Sequence, residues 1–91
     1  MNYEDMRDFE IEQKVSIIVN GDDLVRKAPY CSKAEWAWPV IVDNRINITH
    51  RSDGDTCAEV FCESENNWIS AVCKNPLRAA MICFLKVKGA E

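Results

Sequence analysis

The side chains able to do metal or nucleophilic chemistry in this chain are five cysteines, Cys31, Cys57, Cys62, Cys73 and Cys83, and a single histidine, His50. Thiolate and imidazole are zinc's usual donors, so Cys57, Cys62, Cys73 and His50 form the one candidate set of four. The spacing opposes it. Cys57 and Cys62 stand five residues apart, and on one regular strand an odd separation turns two side chains to opposite faces. Neither a CxxC knuckle nor a paired-histidine motif is present. No metal and no cofactor are therefore expected. Nucleophilic catalysis fares no better, because no cysteine has an identifiable base beside it and His50 falls at a strand end, where a solvated rim position is expected. The chain also lacks a Walker loop and the G-x-S-x-G, G-x-G-x-x-G and H-E-x-x-H patterns, and its three glycines cannot build a phosphate cradle of those types. The expectation is a protein that is not an enzyme, with no catalytic residue.

Ninety-one residues suffice for one small domain, and the absence of repeats, low-complexity tracts and Pro/Gly/Ser-rich linkers favours treating residues 1–91 as that unit. Hydrophobic residues make up 47% and charged residues 29%, a globular rather than a disordered balance. An amphipathic helix is expected after Asp8, with Ile11, Val15, Ile18 and Val19 on one face and Asn20-Gly21 at its end. Residues 22–39 read as a long ordered loop, since Pro29 and Pro39 disfavour helix at the residues before them. From Pro39 the pattern changes to period two, through Val40-Ile41-Val42 and then residues 45–49, with Ile46 and Ile48 on one side. Ser52-Asp53-Gly54-Asp55 is a strong turn, so residues 56–62 should return as the second strand of a hairpin. Trp68-Ile69-Ser70-Ala71-Val72-Cys73 reads as a third, mostly buried strand.

Asn75-Pro76 is the clearest helix start: asparagine caps exposed amides, and proline pre-sets φ where no hydrogen bond is lost. Leu77, Ala80, Met81, Phe84 and Leu85 share a face, and Gly89 is the expected terminator. The fold class is thus α+β: a small antiparallel β-meander of about three strands flanked by an N-terminal and a C-terminal helix, with the helices on one sheet face.

The segment most suited to binding is Tyr30-Cys31 followed by Trp36-Ala37-Trp38-Pro39. In an extended chain Trp36 and Trp38 share a face, where they either seal the small core or form a binding surface that, with Tyr30, anchors a protein partner or stacks on bases. Their exposure decides between the two. The net charge of −4 opposes a general grip on nucleic acid or an anionic membrane, and Arg45, Arg51 and Arg78 would form a basic patch only if folding gathered them. The excess acid lies in residues 1–23, where seven carboxylates face Arg7 and Lys14. A solvated helix face explains them, and a DNA mimic is not inferred. No apolar run approaches a membrane span and the first residues are acidic, so a cytosolic location with reduced thiols is expected and the Asn47-Ile48-Thr49 sequon carries no glycan.

The ordered blocks Met6-Arg7-Asp8-Phe9-Glu10-Ile11, Tyr30-Cys31, Trp36-Ala37, Pro39-Val40-Ile41, Asn44-Arg45-Ile46, Asn75-Pro76-Leu77-Arg78-Ala79-Ala80-Met81 and Phe84-Leu85 span nearly the whole chain. In these blocks the chain resembles the NinX-like proteins of lambdoid and other enterobacterial phages. Cys57, Cys62 and Cys73 lie outside the pattern. The resemblance implies a phage or prophage early-region accessory protein of the bacterial cytoplasm, from a family without an assigned activity, and carries over no catalytic or binding residue. Its leading functional implication is binding to a host or phage protein, including inhibition of a host function. A nucleic-acid-binding accessory factor in phage replication or recombination is the second reading. Oligomeric state is not legible.

Overall fold

The computed structural model describes residues 3–20, 30–63 and 65–90. A short 3-10 turn, Tyr3–Asp5, leads into helix α1, Asp8–Asn20. Arg7 occupies the capping position and Asp8 is the first helical residue, since the Arg7 carbonyl accepts from the Glu10 and Ile11 amides at 3.0 and 3.1 Å. Ile11 and Val15 are buried as the periodicity predicts, whereas Ile18 and Val19 are exposed. Gly21, the expected terminator, lies outside the described residues.

Helix α2, Ala34–Asp43, replaces the last part of the expected loop and the expected strand at Val40-Ile41-Val42, while residues 22–29 of that loop lie outside the described residues. Proline beyond the first turn removes one helical hydrogen bond and crowds the carbonyl four residues back, a cost of about 3 kcal/mol. Here that carbonyl belongs to Glu35, and Glu35 and Pro39 are both exposed, so water can solvate what the missing amide leaves open. The opposite side carries Ala37, Val40 and Ile41, a helical i, i+3, i+4 stripe that is fully buried. Burial of that stripe outweighs the proline and the β-branched run. The helix ends in a Schellman motif: Ile46 N–H donates to the Ile41 carbonyl at 3.0 Å and Arg45 N–H to that of Val42 at 3.2 Å, with Arg45 left-handed at φ 54°.

The three strands, β1 (Asn47–His50), β2 (Thr56–Cys62) and β3 (Asn67–Cys73), form the expected antiparallel meander in the order β1-β2-β3. Gly54, at φ 93°, supplies the conformation that the β1–β2 turn requires. Ala58, Val60, Cys62 and Ala71 face the core. Strand β3 is not mostly buried: of its seven residues only Ala71 is, because β3 is an edge strand with one open face.

Helix α3, Pro76–Ala90, starts where expected: Asn75 Oδ1 accepts from the Leu77 and Arg78 amides at 3.0 and 3.4 Å. It continues through Gly89, which does not terminate it. Beyond the predicted stripe, Ala79, Ile82 and Cys83 are buried too, so Ala79 to Leu85 are enclosed on every side. The reason is the layering. Helix α3 packs on β2 and β3 with one side and against α1 and α2 with the other. The outer helices thus reach the sheet through α3 rather than sharing one sheet face with it. No described helix is long and apolar enough to cross a membrane.

Candidate binding surface

The groups with potential chemistry do not converge. Cys62 is buried beneath the sheet while Cys57 is on its outer face, as their odd spacing requires. Among the described residues no three His, Cys, Asp or Glu side chains are placed to hold a metal ion. His50 Nδ1 is 3.5 Å from Thr56 Oγ1, the residue opposite it in the β1–β2 register. Burial pushes the Cys31 thiol up to about 12, with the Asp8 and Glu12 carboxylates adding to the shift. Burial likewise raises Cys83 to about 12, against the opposing charge of Lys86. At neutral pH both are therefore un-ionised thiols packed as small apolar groups, not nucleophiles.

The three aromatic residues singled out in the sequence are separated by the fold. Tyr30 is buried and meets Trp36 edge to face, with ring centroids 6.1 Å apart at 78°. Because α2 is helical, Trp36 and Trp38 stand about 200° apart around its axis instead of sharing a face. Trp36 keeps 44% of its surface in solvent and Trp38 60%. Trp38 belongs instead with Pro39 and, one turn on, Val42, all exposed on the side of α2 away from α3. The sequence's choice between core seal and surface anchor thus divides: Tyr30 seals, Trp36 does some of both and Trp38 is surface.

A second aromatic pair was not singled out in the sequence. Phe61 and Trp68 are opposite each other on the outer face of β2 and β3, with centroids 5.6 Å apart at 68°, and are 42% and 57% exposed. Period-two alternation held the signal, since Phe61 is out of phase with buried Ala58, Val60 and Cys62. Beside this pair a groove of about 610 Å³ runs between the α2–β1 junction and the end of α3, lined among others by Arg45, Phe84 and Lys88.

The arginines do not assemble. Arg78 pairs with Asp8 at the start of α3, Arg51 is 3.6 Å from Asp53 in the β1–β2 turn, and Arg45 lines the groove beyond the other end of β1. These three arginines form no shared patch.

Comparison with known families decides the relationship: the family model described as bacteriophage P22 NinX matches residues 2–88. The chain belongs to the NinX family. No curated protein and no solved structure matches it. In this member of the family, three of the blocks that carry the resemblance meet at one junction. Asn75, besides capping α3, donates from Nδ2 to the Cys31 carbonyl, while the Cys31 amide donates to Glu12 Oε2 at 3.1 Å. Arg78 reaches Asp8 and the Met6 carbonyl. Burial by itself would lower the Arg78 pKa, but Asp8, with a contribution from Cys73, holds it above its ordinary value. The Met6-Arg7-Asp8, Tyr30-Cys31 and Asn-Pro-Leu-Arg blocks are therefore one tertiary clamp joining α1, the turn before α2 and α3.

Proposed function

We propose that this NinX protein is a phage accessory protein that acts in the bacterial host cytoplasm by binding a host or phage protein, with Trp38 as its anchor. The observation that carries this reading is Trp38 itself, 60% exposed on α2 beside Pro39 and Val42, an apolar ridge with no described partner in the fold. Tryptophan is enriched at binding hot spots because it offers a large, rigid area at small entropic cost. The division of labour in the molecule supports the same reading. Among the described residues, Asp8, Asn75 and Arg78 are engaged in the clamp and the Cys31 and Cys83 thiols are buried, whereas Trp38 offers its area to solvent.

The test is affinity capture of tagged protein from nuclease-treated lysate of phage-infected bacteria, comparing the wild type with Trp38→Ala. One protein retained through nuclease and lost with Trp38→Ala is the expected result. Loss of every captured species on nuclease treatment would replace this reading with nucleic-acid binding.

A further inference from the structure

We infer that the free edge of β3 is a self-complementary interface through which two copies of this chain join their sheets into one six-stranded antiparallel sheet. The two edges of the meander differ. Strand β1 is four residues long, the short type of edge that resists pairing. Strand β3 runs for seven residues, and no described strand pairs with its outer edge. It also lies in the eight-residue stretch 66–73, the longest in the chain without Asp, Glu, Lys or Arg. Edge strands of monomers are usually blunted by an inward charge, a proline or a bulge, and β3 contains no charge and no proline. Among the described residues, Lys86 Nζ reaches this edge from α3 and donates to the Ser70 carbonyl at 3.1 Å. A backbone amide of a second strand can take that place on the carbonyl.

The side-chain pattern selects a second copy as the occupant. With a two-fold axis through Ser70 and perpendicular to the sheet, antiparallel pairing sets Ser70 opposite Ser70 of the second copy. Trp68 then meets Val72 of the second copy, and Ile69 meets its Ala71. Both members of each pair lie on the same sheet face, because the two-fold preserves the alternation. Trp68 with Val72 is an aromatic–β-branched pair, a favourable cross-strand combination, and Ile69 with Ala71 sets large against small. On the outer face the row Phe61–Trp68 continues onto Val72 of the second copy, covering apolar surface that is open in the monomer. Charge points the same way. A chain with net charge −4 repels its own copies over most approaches, and this stretch brings none of that charge to the contact. The inference does not depend on the Trp38 ridge, which lies on α2.

Sedimentation equilibrium of the full chain, carried to about 0.2 mM, tests it. The wild type is expected to form a dimer, and Ser70→Lys, at an exposed outer-face position, to weaken it about tenfold or more by placing two ammonium groups face to face on the axis. Ser70→Glu is expected to do the same, and an equimolar mixture of the two variants to restore a heterodimer, a rescue that a folding defect cannot produce. A wild type that stays monomeric throughout, or a dimer unmoved by either substitution, overturns the inference. Capture by Trp38 remains a separate readout, so the two proposals fail independently.

Discussion

The junction where α3 begins and the outer surface of α2 and the sheet are built on opposite terms. At the junction the polar side chains are paired with one another and with the backbone: Asn75 serves two helix amides and the Cys31 carbonyl, and Arg78 serves Asp8 and the Met6 carbonyl. On the outer surface Trp38, Phe61 and Trp68 keep much of their area in water. The family's most recognisable residues are in the first region, and the groups suited to recognition are in the second. A signature of this kind reports how the fold is locked together. The proposed anchor, Trp38, stands outside that junction, on the exposed side of α2.

That contrast can be broken by perturbing each region and measuring stability. The largest effect is expected with pH. Cys31 and Cys83 bind their protons more tightly folded than unfolded, each rising from 9.0 to about 12, so the stability they contribute is complete below pH 9. It is lost as pH rises toward 12, at up to about 1.4 kcal/mol per pH unit for each thiol, because the unfolded chain ionises first. Denaturation curves across that interval should show it, and Cys83→Ala should remove one proton's share of the slope. An unchanged slope in that variant would mean the thiol is not the buried group described. Next comes Met81→Ala, in the fully enclosed stretch of α3, expected to cost about 2 to 5 kcal/mol in urea unfolding. Asn75→Ala should cost about 1 to 3 kcal/mol, since it removes the cap and leaves the Cys31 carbonyl without its side-chain donor. The smallest effect on stability belongs to Trp38→Ala, expected to fall within about 0.5 kcal/mol of wild type while abolishing partner capture. A large loss of stability there would move Trp38 from the binding surface to the core and erase the distinction between the two regions.

Legibility in the sequence followed the range of the forces involved. The α3 start was visible because Asn-Pro capping acts within a few residues, and the β1–β2 hairpin because Asp53-Gly54 carries its own backbone requirement. Helix α2 was not, because Pro39 and the run Val40-Ile41-Val42 both disfavour helix locally, and only the burial of Ala37, Val40 and Ile41 against α3 reverses that preference. The error carried into the candidate site, since Trp36 and Trp38 share a face only in an extended chain. Tyr30, a candidate anchor by its place beside the tryptophans, is buried against Trp36, because which side of the cluster faces water depends on packing that the chain order does not show. The Phe61–Trp68 pair was hidden for a related reason: alternation says that two sides of a strand differ, and a covering layer decides which side stays open.

By itself the sequence determined the family, the α+β class, the meander, the helix starting at Asn75-Pro76 and the opposite facing of Cys57 and Cys62. Each of these rests on local stereochemistry, on a periodicity of a few residues or on ordered blocks that can be read directly. The tertiary structure alone decided that α3 is the middle layer, that α2 is a helix despite its proline, that three of the family blocks form one clamp and that no described strand pairs with the outer edge of β3. These outcomes depend on which surfaces exclude water from one another, and that is a property of segments distant in the chain and adjacent only once it has folded.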